Sequence, residues 1–275
     1  MAQPQGHMPM QQVPNQFVPG MPVQNKFVPG MPQEMAQNDF EGCPVAQVPP
    51  EIRSDFIKKV YTILSAQLAL TFCVAYYMHT QLTPYWVKQN ISVYYMVSFG
   101  TLGLLLAVRC CCANAMRTFP INFIFLGVVT LGLATTTGFV TVLYSTNSVL
   151  LALATTALVF FGLTAYACLT KTDFTGLGPY LYAALLALCM FGFALMLMSY
   201  FTGGSEVMST MHKIYAGLGV LLFVFYIVYD TQLIVGGRHK QHEFSIDDYV
   251  YAALMLYMDI INLFLFLLEL MGDRR

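Results

Sequence analysis

The stretch DYVYAALMLYMDIINLFLFLLELM runs from Asp248 to Met271 and decides the fold. Apolar side chains occupy every face of the helix it would form, whereas a helix on a soluble core needs only one apolar stripe. Its length is sufficient to cross about 30 Å of hydrocarbon. Working outward, runs of the same kind recur at about 57–79, 93–109, 120–144, 147–170, 178–201 and 212–235, with 248–271 the last. In lipid the backbone must satisfy its own hydrogen bonds, so runs of this length are helices. The connections between them are short. These observations predict an all-α membrane protein, a seven-transmembrane-helix bundle over residues 51–275.

Composition agrees. The chain is 57% hydrophobic and 10% charged, against roughly 25% charged residues in soluble domains. A net charge of −1 gives no basic face for nucleic acid. The seven cysteines form neither a zinc pattern nor a secreted disulfide framework. Cys110-Cys111-Cys112 stand at a predicted helix end, open to reading as incidental thiols or as a palmitoylation site. Residues 1–50 hold ten of the thirteen prolines and no apolar signal segment. Within them Gln16-Phe17-Val18-Pro19-Gly20-Met21-Pro22 recurs as Lys26-Phe27-Val28-Pro29-Gly30-Met31-Pro32. Such spacing of prolines predicts a disordered, extended tail.

Orientation follows from Lys and Arg. With a cytosolic N-terminus, Arg53, Lys58, Lys59, Arg109, Arg117, Lys171, Arg238 and Lys240 fall on the cytosolic side; Lys88 and Lys213 face the other way. Arg274 and Arg275 disagree if the last helix spans, so a re-entrant hairpin stays open beside the favoured full crossing. Asn90-Ile91-Ser92 is a glycosylation sequon on the non-cytosolic side, too close to the second helix to be used. Ser245, three residues before Asp248, has the pattern of an N-cap for the last helix. Gly100, Gly103, Gly127, Gly132, Gly217, Ala183 and Ala187 are the small residues expected to admit close helix contacts.

Charge is almost absent from the seven runs, so its exceptions are informative. Asp230 lies in the sixth and Asp259 in the seventh. An ionised Asp at mid-bilayer costs about 2.5–3.5 kcal/mol even on the lenient insertion scale, so it needs a cavity or a partner. The sixth helix runs toward the cytosol and the seventh returns. Asp230 is six residues, about 9 Å, before Gly236 and Asp259 eleven residues, about 16 Å, past Asp248, so helix ends a turn away from these bounds would bring both acids to similar depth. Two carboxylates a few ångströms apart do not both ionise cheaply, and the pair is expected to share a proton or bind a cation. Ca2+ prefers oxygen ligands, and Asn262 is a candidate supporting ligand. The plainer alternative is that each Asp bonds a neighbouring hydroxyl and only fixes packing. Glu269, near the polar end of its run, reads as interfacial.

Asp173-Phe174-Thr175, Tyr229-Asp230-Thr231-Gln232 and Leu256-Tyr257-Met258-Asp259-Ile260-Ile261-Asn262-Leu263-Phe264 resemble motifs of the transmembrane Bax-inhibitor-motif family. The likeness covers about residues 50–275, and the lifeguard branch shares the Pro-rich cytosolic tail. The resemblance implies a bundle with the last helix central and no enzymatic activity. It implies a pH-sensitive Ca2+ leak from Golgi or endoplasmic reticulum, with some relatives at the plasma membrane, and restraint of apoptosis. It makes Asp230 and Asp259 the counterparts of a di-aspartyl pH sensor. Arg109 is the nearest counterpart of a gating latch, and reads equally well as an ordinary positive-inside charge. No cofactor is implied; lipid, protons and Ca2+ are the expected partners.

Other seven-helix or two-aspartate proteins fit less well. An intramembrane aspartyl protease needs Gly-x-Gly-Asp and a downstream Pro-Ala-Leu, and neither is present. Rhomboid Gly-x-Ser-Gly and the receptor signatures Asp-Arg-Tyr and Asn-Pro-x-x-Tyr are also missing. A non-conducting adaptor that modulates channels or apoptotic proteins through its tail stays open. His239 and His242 read as solvated loop residues that are able to tune a pH response.

Overall fold

A computed structural model describes residues 43–111, 118, 120–202, 206–236 and 244–275. Residues 1–42 of the tail expected to be disordered, the loop histidines His239 and His242, and Cys112 lie outside them, as do the side chains of Arg109, Cys110 and Cys111; residues 43–50 of that tail are described and pack on the bundle, with Val45 and Val48 buried. The helices are α1 (Pro50–Gln81), α2 (Pro84–Gln89), α3 (Ile91–Cys111), α4 (Ile121–Val142), α5 (Thr146–Leu169), α6 (Gly178–Thr202), α7 (Glu206–Val235) and α8 (Tyr249–Met271). Only isolated bridges stand where strands would be among the described residues. The chain is thus an all-α membrane protein.

Local chemistry sets the boundaries. Pro50 opens α1 at a position where a missing N–H costs nothing. At 32 residues α1 is about 48 Å long, so its first turns stand outside the hydrocarbon. There Lys58 pairs with Asp55 at 3.1 Å in an exposed position. The short α2 was not anticipated; Thr83 caps it by accepting from Trp86 N at 3.2 Å. Ser145 caps α5 through Ser148 N at 3.3 Å. Ser245 does not open α8 directly. It precedes a 3-10 turn, Ile246–Asp248, in which Ser245 N donates to Asp248 Oδ2 at 3.3 Å, and α8 follows at Tyr249.

Six of the helices (all but α2 and α3) are long and apolar enough to cross a membrane; α3 is apolar over its described part, Ile91–Ala107. Among the six, α8 is the most buried. It packs against α1, α4, α5 and α7, while α3 lies mainly on α4 and α6 on α7. The two ends of α8 settle how it runs. At its start, Val45 N donates to Phe244 O at 3.0 Å and Ile246 N to Cys43 O at 3.2 Å, which brings the beginnings of α1 and α8 together. At its end, Arg275 N donates to Leu143 O at 2.8 Å and Ser145 N to Asp273 O at 3.0 Å. Near the end of α1, His79 meets the same turn, with Nδ1 3.0 Å from Thr141 O and Nε2 3.1 Å from Thr146 Oγ1. Helices α1 and α8 therefore run parallel from one end of the bundle to the other, and the hairpin alternative is removed.

The expected contact glycines need correction. Among the described residues, Gly100, Gly103, Gly127 and Gly217 face open space, and Ala183 and Ala187 are exposed. Gly132 does lie against Thr101. Gly219 is a close approach between α7 and α8, where an added Cβ would sit 2.6 Å from the Phe266 ring. That ring is fixed between Tyr215 at 5.3 Å and Phe223 at 5.8 Å, so it has no room to yield. Gly219→Val should cost about 1–3 kcal/mol by overpacking. A melting curve of the detergent-solubilised variant matching that of the wild type would contradict this.

Candidate functional site

The site grows from two helix stripes. On α7 the buried positions Phe223, Tyr226, Ile227, Asp230, Thr231 and Ile234 recur every three or four residues, so Asp230 shares a face with large apolar neighbours. On α8, Leu256, Asp259, Ile260, Leu263 and Leu267 form the matching stripe. Asp230 is 1% exposed and Asp259 4%. Hydrophobic burial of the stripes therefore draws both acids into the α7–α8 interface, where neither reaches solvent.

The structure brings the two carboxyl groups within hydrogen-bonding reach of each other. Both oxygens of Asp230, and Oδ2 of Asp259, receive no hydrogen bond from any donor among the described residues. The plainer reading, in which each acid is satisfied by its own Tyr or Thr, finds no such bond at either oxygen of Asp230 or at Oδ2 of Asp259. Two bare carboxylates at this separation repel, and each would lack a donor. A proton held between them, or a cation bound to both, relieves the repulsion and the missing hydrogen bonds together. A site built this way responds to protonation through the attraction between two helices.

The other predicted residues contribute less. Asn262 is half-buried and donates its amide to Met258 O of its own helix at 2.8 Å; no described hydrogen bond carries it to the acids. Among the described residues no cluster of three or more His, Cys, Asp or Glu side chains is present, so the pair is not part of a closed metal cage. Glu269 sits at the far end of α8, 3.3 Å from His212 Nδ1 and 3.6 Å from Arg274.

Reading the sequence missed Gln232. It is 0% exposed, two residues past Asp230. Its Oε1 accepts from Phe174 N at 2.8 Å, and Nε2 donates to Thr172 O at 3.0 Å. Asp173 Oδ1 in turn accepts from Thr175 N at 2.9 Å and Thr175 Oγ1 at 2.7 Å. The motifs Asp173-Phe174-Thr175 and Tyr229-Asp230-Thr231-Gln232 are thus halves of one device that ties the α5–α6 connection to the end of α7. An uncharged amide in an apolar run was the available signal. A second polar ladder joins α1, α4 and α8: Gln67 Nε2 donates to Thr130 Oγ1 at 2.9 Å, and Thr71 Oγ1 meets Tyr257 Oη at 2.6 Å.

Comparison with known proteins bears on this geometry. A family model described as inhibitor of apoptosis-promoting Bax1 matches residues 53–275. Human protein lifeguard 3 is 35% identical over 225 residues, covering 82% of this chain and 70% of the relative. Mouse protein lifeguard 4 is 39% identical over 235 residues, covering 85% of this chain and 91% of the relative.

Replacing Gln232 with Leu should strand the Phe174 N–H and the Thr172 carbonyl. The loss should be about 0.5–1.5 kcal/mol per hydrogen bond, since both groups are only partly buried. Thermal melting and limited proteolysis across residues 170–177 report it; a Gln232→Leu protein as stable and as resistant as the wild type would contradict the assignment.

Proposed function

The chain belongs to the Bax-inhibitor family with its lifeguard relatives, and from that premise we propose that it is a pH-sensitive Ca2+ leak path of an intracellular membrane that restrains apoptosis. The observation that carries the reading is the pair Asp230 and Asp259, buried together with no donor reaching three of their four oxygens among the described residues. Evolution of a purely structural contact has no need of two acids in an apolar interface, where apolar side chains of similar volume are cheaper.

In this reading the chain crosses the membrane seven times, α3 included, with α8 at the centre and the N-terminus in the cytosol of a Golgi or endoplasmic reticulum membrane. The charge asymmetry supports that orientation. The ends of the bundle then have names: the beginnings of α1 and α8 are cytosolic, and the α4–α5 turn with Arg274 and Arg275 is not. When the pair holds a proton, α7 and α8 are drawn together and the path is closed. When the proton leaves, two like charges face each other in a low-dielectric wall, and the helices part on the cytosolic side. Ca2+ is cargo here: it meets the newly bared carboxylates and moves down the store gradient. No bond is made or broken. Arg109 is the latch candidate that could meet a freed carboxylate.

Flux from the purified full chain in liposomes tests this. The wild type should release Ca2+ with a pH-dependent rate. Asp230→Asn and Asp259→Asn should each shift the midpoint by about one pH unit or more, because a lone carboxyl titrates without its neighbour's charge. Identical pH profiles in both variants and the wild type count against the pair as sensor. A wild type without any flux points instead to a non-conducting adaptor acting on other channels or apoptotic proteins.

A further inference from the structure

The face of α7 opposite Asp230 is fastened too. An α-helix turns about 100° per residue, so Gln232 leaves α7 about 200° around from Asp230. On that far side it meets the α5–α6 connection, residues 170–177, every one of which is described. Beyond the bonds to Phe174 N and Thr172 O, Gln232 Nε2 lies 3.5 Å from Ala167 O near the end of α5. The connection is itself anchored. The Phe174 ring packs edge-on against Tyr166 at 6.2 Å, Thr175 is 1% exposed, and Leu177 packs on the main apolar cluster. Tyr229, the residue before Asp230, fills the space beside Gly178, where an added Cβ would sit 2.7 Å from its Oη. The turn of α7 that bears the acid is therefore seated on α8 at one side and on the α5–α6 connection at the other.

We propose that Gln232 is a positioning residue: through it the α5–α6 connection sets how closely Asp230 faces Asp259. The inference rests on the reading of the pair as sensor and adds what fixes its spacing. An amide suits this work, because it donates and accepts at once and so holds a carbonyl and an N–H of the same segment. Leu does neither, and Asn is one methylene shorter. Both bonds are short and directional, so α7 neither rotates nor slides without breaking them. Asp230 is thereby presented to Asp259 at a set distance, and a proton shared by two carboxyls is held the more tightly the better they are aligned. Other groups leave that relation undisturbed. The charge that acts on each acid is the other's. Tyr229 beside Asp230, and Tyr61 of α1 beside Thr231, are uncharged hydroxyls across the physiological range. On the Gln232 side Lys171 is exposed, and Asp173 is bonded within the connection.

The full chain in liposomes carries the test, read first by infrared titration and then by flux. The protonated-carboxyl signal that Asp230→Asn and Asp259→Asn both alter belongs to the pair. Gln232→Asn and Gln232→Leu should each release that proton about half a pH unit lower than the wild type, about threefold in proton affinity. The midpoint of the Ca2+ leak should move with it. Gln232→Asn serves if the Leu variant does not fold. The connection is probed from its own side: Phe174→Pro removes the N–H that donates to Gln232, whereas Phe174→Ala removes only the ring. The Pro variant should titrate like Gln232→Asn, and the Ala variant closer to the wild type. A purely structural tie would lower the melting temperature and leave the titration in place. That result in Gln232→Asn, or Phe174→Pro titrating like Phe174→Ala, overturns the assignment. If the wild type conducts nothing, the leak reading has failed and the infrared titration alone decides. A shift in Gln232→Asn then supports the positioning role, and an unmoved signal rejects it.

Discussion

Two carboxyl groups facing each other in an apolar slab impose an order on everything around them. Hydrocarbon offers no water to an acid, so whichever helix carries one must turn it toward protein. Asp259 stands near the middle of α8, and the neighbours that enclose it are α1, α4, α5 and α7. Asp230 arrives from α7 on the stripe that includes Ile227 and Ile234. The two helices with the least to hide, α3 and α6, lie outside. Apolarity does not set burial in this bundle: α6 is the most apolar of the six long helices and the least buried. Lipid tails are as apolar as leucine and exert no pressure to withdraw it, so packing and polar contacts select the interior.

That inversion explains what the sequence did and did not reveal. Six long apolar helices were legible, because length and continuous apolarity are what a bilayer measures. The exceptional acids were legible for the same reason, as was their shared depth, since both are counted from one connection. Contact glycines were not. Gly100 and Gly103 look like a close-packing motif, yet no neighbour comes near them, whereas Gly219 accepts the Phe266 ring. Spacing along one helix cannot say which face meets protein when every face is apolar. Gln232 escaped notice because its partners are main-chain groups of another connection, Phe174 N and Thr172 O, which have no signature in side-chain type.

Arg274 and Arg275 show how a local rule yields to tertiary structure. Their positions oppose the charge asymmetry of the rest of the chain. Arg274 lies 3.6 Å from Glu269 and 5.7 Å from the centre of the Tyr144 ring. Arg275 donates to Thr146 Oγ1 at 2.7 Å and its backbone N–H to Leu143 O. The two residues close the far end of the bundle by joining α8 to the α4–α5 turn. Their charges are engaged with protein, and a rule about free loop charge does not apply to them.

The ends of the α7–α8 interface are therefore both fastened, and its middle is not. At the far end Glu269 bridges His212 on α7 and Arg274 beyond α8. At the near end Phe244 and Val45 tie the connection to Leu233 and to the segment before α1. Between them sit Asp230 and Asp259, buried in the middle of the interface. A helix pair clamped at both ends parts only if one clamp yields, and the two clamps differ in kind. The far one is built of side-chain charges on helix ends and a docked turn. The near one is built on backbone hydrogen bonds of Val45, Phe244 and Ile246, residues outside every long helix, where local opening is cheaper. Under the leak reading proposed above, helices parted by the acids would open toward the near end, where residue 43 meets the bundle.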